Sequence, residues 1–449
     1  MKNLKKIIAA AAAACLVLSG CSRGNETAET EKNPLLTENT AVTEAASEET
    51  ASSSFSGEST SEKIPEVSAE TDSETKTSAA EETSLTAVTM QTSVPAATAP
   101  AETKAAATEA LTAAQTEKAP ANSDKIQDII DNMSLEEKVG QIILVRYSEE
   151  TAAKASQYHF GGYTLYAVDF ADETPDSIQA KLEKIRSNST LPPFFAADEE
   201  GGQVVRISKY AAFSSSPLPP IGSNEAKGDI KGFAEKMAEV LRKGGINLNL
   251  APVADVAESE EDYIYGRTCR EDYQRTGEII GELVTELNGY NVISCLKHFP
   301  GYGSNVDTHT GIAVDGRTAE SFESKDFIPF KAGIKANVPM IMVNHNIVTA
   351  YNGKVPASLA PEVHKALRDL GFKGVIVTDD LGMGAITQYS DSPYVDAVLA
   401  GNDLLCTSDG ENCYKSVYEA VKSGVISEKR INESVYRVLE TKKRYGILN

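Results

Sequence analysis

Short apolar runs alternate with longer amphipathic stretches through the last three quarters of the chain. The runs cover residues 141–145, 162–166, 194–197, 248–253, 292–296, 340–343, 375–377 and 403–406. Each is long enough for a strand and too short for a typical helix. Helix-spaced segments separate most of them, among them residues 229–243, 271–287, 324–335 and 361–370. The runs are almost continuously apolar, which predicts strands buried on both faces: a parallel sheet covered by helices. Eight such units predict an α/β fold, a closed (β/α)8 TIM-type barrel spanning residues 123–449. An open doubly wound sheet is the alternative, but no Gly-x-Gly-x-x-Gly turn follows the first run.

Polar residues sharpen this picture. Five of the eight runs lead into a charged or imidazole residue: Asp198, Asp255, Lys297-His298, His345 and Asp379-Asp380. In a barrel the carboxyl ends of all strands share one face, so these groups would meet in one pocket. They could instead simply terminate strands, or form an ion-pair network under the barrel mouth; the latter is compatible with a binding role.

The pattern fails before residue 123. Lys2, Lys5 and Lys6, an apolar run from Ile7 to Leu18, and Leu18-Ser19-Gly20-Cys21 have the order of a secretory signal, with residues 1–20 removed. The last four residues resemble the cleavage motif of bacterial lipoproteins. That resemblance implies lipidation of Cys21 and an extracytoplasmic protein anchored to the cell membrane. Residues 22–122 are rich in Thr, Ser, Ala and Glu, with 18 acidic against 6 basic side chains. They bury too little to offset the entropy of ordering and read, with Cys21, as a disordered, self-repelling tether.

Composition narrows the function. A net charge of −22 without basic clusters argues against nucleic acid. No Cys-x-x-Cys spacing suggests a zinc ribbon or redox motif, and no cofactor or metal is called for. Cys295 falls in a core run and reads as a buried thiol; Cys406 and Cys413 are near enough in sequence to pair. A metal site from His298, His309, His345 and Asp379 would need ligands from scattered runs.

The most chemically suggestive stretch is Lys297-His298-Phe299-Pro300-Gly301-Tyr302-Gly303-Ser304-Asn305-Val306-Asp307-Thr308-His309. A Pro/Gly-rich loop leaves a strand and delivers an Asp-x-His pair. A carboxylate beside an imidazole fixes its tautomer and stabilises its protonated form, which suits general acid/base work. A bland solvated loop is the competing interpretation.

Three stretches together resemble glycoside hydrolase family 3. They are Asp198-Glu199-Glu200-Gly201-Gly202-Gln203-Val204-Val205-Arg206, Lys297 to His309, and Val375-Ile376-Val377-Thr378-Asp379-Asp380-Leu381-Gly382-Met383. The Asp-x-His after Lys-His-Phe-Pro-Gly resembles the β-N-acetylhexosaminidase branch. The resemblance implies retaining hydrolysis of terminal β-N-acetylglucosamine from glycans or cell-wall fragments such as muropeptides; separately, a monomer is expected. It makes Asp379 the nucleophile, His309 the acid/base and Asp307 its orienting partner. It assigns Asp198, Arg206, Arg267, Lys297 and His298 to the sugar, with His345 behind them. Asp380 would cap a helix. Departures are Tyr302 where a second His is common, Thr268-Cys269-Arg270 in place of Ser-Phe-Gly, and Val314-Asp315 in place of Leu-Pro. Other specificities, a phosphorylase, or a silent sugar-binding lipoprotein are the alternatives.

Overall fold

A computed structural model of the chain describes residues 125–305, 313–383, 386 and 388–449. The signal segment, Cys21 and the tether lie outside the described residues, as do Asp307 and His309. Ten strands occur among the described residues: β1 (Ile143–Arg146), β2 (Gly162–Thr164), β3 (Phe194–Ala197), β4 (Leu248–Asn249), β5 (Ile293–Phe299), β6 (Val314–Asp315), β7 (Met340–Val343), β8 (Ile347–Val348), β9 (Val375–Thr378) and β10 (Leu405–Thr407). Eight of them form one parallel sheet in the order β10-β1-β2-β3-β4-β5-β7-β9. Its two ends meet through a parallel bridge between Val377 and Leu404, so the sheet is a nearly closed barrel. The eight apolar runs of the sequence each supply one of its strands. The remaining two, β6 and β8, pair as a short parallel ribbon beside it. Nothing in their sequence announces them, because two residues are too few to show a period.

Burial on both faces explains the unbroken apolar runs. Phe194 and Ala196 of β3 point into the barrel with Leu144, Met340, Met342, Val375 and Val377. The alternating residues Phe195, Ala197, Val145, Ile341 and Ile376 point outward, under the helices. The helix Ile230–Lys243 is capped by Asp229, whose carboxylate accepts from Gly232 N at 2.9 Å; the helix Tyr273–Gly289 is capped likewise by Asp272. Cys406 belongs to the interior and Cys413 to the layer under the helices, on opposite faces of β10. They therefore do not pair, and all four cysteines of the described residues are free and buried.

The C-terminal helix Glu428–Arg444 closes the end of the barrel where the strands begin. Val438 joins the interior cluster, and Asn291, just before β5, donates to Tyr445 O at 3.0 Å. Lys442 is fully buried there, its Nζ donating to Gln141 Oε1 at 2.8 Å and lying 4.9 Å from the Phe194 ring centre. Burial without a counter-ion pushes its pKa down to about 7. The unfolded chain then holds this proton more tightly than the native one, so the destabilisation is full below pH 7 and is relieved as pH rises toward the free lysine value. Lys442→Met should therefore gain most over the parent at pH 7 and below. Its relative stability should decline steadily to about pH 10, as read by denaturant titration at each pH.

Candidate active site

The charged residues at the strand ends converge as the barrel topology requires. Asp198 follows β3 directly. Gly201 and Gly202 have φ values of 95° and 66°, and a Cβ on Gly201 would lie 2.2 Å from Pro219 O. Only glycine fits this reversal, which brings Arg206 back over Asp198. Glu199 templates the return: its buried carboxylate accepts from the backbone N–H groups of Arg206, Ile207 and Ser208 at 2.8, 2.8 and 3.2 Å.

Lys297 stands at the centre. Its buried Nζ lies 2.7 Å from Asp198 Oδ1 and 2.6 Å from Glu200 Oε1. Arg206 Nη2 reaches Asp198 Oδ2 at 3.3 Å. Arg267 forks onto Glu200, with Nε–Oε2 at 2.9 Å and Nη2–Oε1 at 2.8 Å. Burial alone would raise both carboxylates, but these cations outweigh it and hold Asp198 and Glu200 below the usual range.

Lys297 and His298 are the fifth and sixth residues of β5, not a cap beyond its end. The pairing register between β5 and β7 shifts between Leu296 and Phe299. In a regular strand neighbouring side chains point to opposite faces; this irregularity brings both into the same cluster. His298 Nδ1 lies 2.6 Å from Asp255 Oδ2, and its Nε2 lies 3.2 Å from Arg267 Nη2. A guanidinium can only donate, so Nε2 accepts and the proton sits on Nδ1, toward Asp255. Asp255 also accepts from His298 N at 3.1 Å and Tyr302 N at 2.8 Å, tying the loop after β4 to the turn after β5.

Asp379 follows β9 and is partly exposed. Burial raises its pKa, but His345, the Asp380 N–H and Lys297 together bring it below the ordinary value. It is therefore held as a carboxylate. His345 lies behind it, buried, with Nε2 3.1 Å from Asp380 O and Nδ1 2.8 Å from Ser358 Oγ. Among the described residues Asp380 caps no helix. Its carboxylate accepts from Gly382 N at 2.8 Å and Ser408 N at 3.2 Å, bracing a turn against the loop after β10. Both ring nitrogens of His298 and of His345 have hydrogen-bonding neighbours, which leaves neither histidine a free lone pair for a metal.

The structure thus brings Asp198, Arg206, Arg267, Lys297, His298 and Asp379 to one pocket mouth; Asp307 and His309 lie outside the described residues. Sequence reasoning left Glu200 and Asp255 without roles, although Glu200 in the run Asp198-Glu199-Glu200 was a visible signal. It also missed Tyr166, which ends the second apolar run. The guanidinium carbons of Arg146 and Arg206 lie 4.4 and 5.5 Å from its ring centre.

A nearly closed parallel barrel carries an ionised carboxylate after one strand and a charge-paired polar cluster at the ends of others, on the face where barrel enzymes build their active sites. The chain belongs to glycoside hydrolase family 3: residues 134–441 match the Glycosyl hydrolase family 3 N terminal domain. It is 29% identical over 335 residues to beta-hexosaminidase A of Pseudoalteromonas piscicida, covering 66% of this chain and 55% of that one. It is 33% identical over 234 residues to the beta-hexosaminidase of Stenotrophomonas maltophilia (strain R551-3), covering 50% of this chain and 68% of the relative. Among solved structures it resembles a glycoside hydrolase family 3 beta-N-acetylglucosaminidase from Paenibacillus sp. str. FPU-7. That match has a TM-score of 0.65 and 27% identity over 70% of this chain and 63% of the other. The chain thus spans little more than half the length of the Pseudoalteromonas relative.

Removing Lys297 would leave two buried carboxylates each short of a cation. Lys297→Met should lower unfolding stability by about 3–5 kcal/mol, the usual cost of breaking a buried pair from one side, measured by denaturant titration at pH 7.

Proposed function

We propose that the protein is a retaining exo-β-N-acetylhexosaminidase that removes terminal β-N-acetylglucosamine from glycans or cell-wall fragments. The observation that carries the proposal is the pairing of an ionised, partly exposed Asp379 with the Asp198–Lys297–Arg206 cluster at one barrel mouth. Asp198, with cations on both oxygens, is fixed as an acceptor for sugar hydroxyls. Lys297 and Arg206 hold it in place, while Arg267 and His298 extend the polar wall.

In this reading Asp379 attacks the anomeric carbon as the glycosidic bond breaks, and His309 gives its proton to the leaving oxygen. A covalent glycosyl-enzyme results. Water then attacks the same carbon from the face the leaving group vacated, passing a proton to His309 and freeing Asp379. Two displacements retain the configuration. Asp307 orients the imidazole and stabilises its charged form. Support comes from the family, from relatives named beta-hexosaminidase, and from the Asp-x-His spacing. Cys21 and the acidic tether extend the proposal to a lipid-anchored, extracytoplasmic enzyme.

Release of nitrophenol from β-N-acetylglucosaminide and β-glucoside substrates tests the specificity. Cleavage of the first alone is expected, with Asp379→Ala reducing kcat on the order of 10^4-fold; cleavage of the glucoside alone would overturn the hexosaminidase assignment. The address has its own check. Cys21→Ser should move the protein from the detergent phase to the aqueous phase on phase separation, and a wild type already in the aqueous phase would rule out the anchor.

A further inference from the structure

Tyr302 stands where a second histidine is common, and the structure shows what the larger ring supports. Its backbone N–H is held by Asp255 Oδ1 at 2.8 Å, and its side chain is buried. The ring meets His298 edge-on, with centres 5.6 Å apart. It also meets the ring of Tyr263, with centres 5.8 Å apart and planes tilted by 39°. Tyr302 thus links an imidazole of the sugar-facing cluster to a tyrosine that remains 42% exposed.

Tyr263 belongs to the loop after β4, and that loop is braced. Asp262 Oδ2 accepts from the backbone N–H groups of Glu258 and Ser259, both at 2.9 Å, and Asp262 O accepts from Tyr265 N at 2.9 Å. Ile264 is fully buried, and Arg267, on the next turn of the chain, forks onto Glu200. The Tyr263 ring is therefore held beside the polar cluster while part of it faces water. It has company there. Five large apolar side chains stay exposed among the described residues, and three of them stand on segments that follow barrel strands: Val168 after β2, Tyr263 after β4 and Val314 after β5. Apolar surface thus rims a polar floor. The sheet order gives this rim a direction. β3 lies four strands from β9 around the eight-stranded ring, and β4 is its neighbour. A group displaced in line with attack by Asp379, after β9, departs toward that side of the mouth.

We propose that Tyr263 is the platform for the leaving sugar, the pyranose next to the terminal N-acetylglucosamine. This rests on the hexosaminidase reading above. A β-linked pyranose with equatorial substituents turns its axial C–H groups to one side as an apolar face. An aromatic ring offers that face apolar area and a negative π surface. Such stacking does not depend on which hydroxyls the leaving sugar carries, so Tyr263 selects for a ring at that position rather than for one glycan. Tyr302 keeps the platform from tilting inward.

The test compares two alcohols as leaving groups. N,N′-diacetylchitobiose releases a sugar ring, whereas methyl β-N-acetylglucosaminide releases methanol; both place the same terminal sugar and pass through the same glycosyl-enzyme. In the full-length protein, Tyr263→Ala should lower kcat/KM on the disaccharide about tenfold. On the methyl glycoside kcat/KM, or Ki where turnover is too slow to follow, should change less than about threefold. Tyr263→Phe keeps the ring and should stay within about threefold of the parent on both. Equal losses on both substrates, no loss on the disaccharide, or a phenylalanine variant as poor as the alanine one would overturn the platform. Should Tyr263→Ala fail to fold, Tyr263→Leu decides, since it keeps apolar bulk against Tyr302 and lacks the flat ring: the same split supports the platform and its absence overturns it. A folded wild type that cleaves neither substrate overturns the hexosaminidase assignment and the proposal with it. An active wild type whose variants show no split overturns the platform alone.

Discussion

A single ammonium group, Lys297 Nζ, is shared by two buried carboxylates at 2.7 and 2.6 Å. Removing such charges from water is costly, and the cost is offset only when each has well-placed opposite charges and hydrogen bonds. The surroundings of the site follow from that constraint. Glu200 needs Arg267 as well as Lys297, Asp198 needs Arg206, and Arg206 needs the Gly-Gly reversal and Glu199 beneath it to return to the strand end. The loops after β3 and β4 and the end of β5 are thereby bound into one surface.

The same arrangement prepares chemistry. Carboxylates that remain ionised in a partly dry pocket are strong acceptors, and their geometry is set before any substrate arrives. Asp379 gains its charged state differently, from His345, a backbone N–H and Lys297, with no cation in direct contact among the described residues. That leaves its carboxylate less encumbered than Asp198, a difference that fits an attacking group on one side and a binding group on the other. The end of the barrel where the strands begin shows the contrast: Lys442 is buried beside an amide and an aromatic ring, a polar group tolerated for packing.

Much of the site was legible as a list and little of it as an arrangement. Apolar runs ending in Asp198, Lys297-His298 and Asp379 pointed to one face because strand ends converge in any parallel barrel. The pairing of Glu200 with Arg267, and of His298 with Asp255, joins residues 67 and 43 positions apart; no local pattern encodes such partners. Tyr263 has the weakest signal of all, an aromatic residue in an acidic loop whose partner, Tyr302, belongs to a different strand end.

The sequence by itself determined the eight-stranded parallel barrel and the chemical identity of the strand-end residues. Burial on both sheet faces leaves a continuous apolar trace, and charge at a strand end is visible in one dimension. Only the tertiary structure decided which carboxylate meets which cation, that the β5 register shift turns two neighbours toward one cluster, and that Cys406 and Cys413 stand on opposite sides of a strand. Those outcomes depend on distances between segments remote in sequence, which are set by closing the sheet and packing the helices around it rather than by any stretch alone.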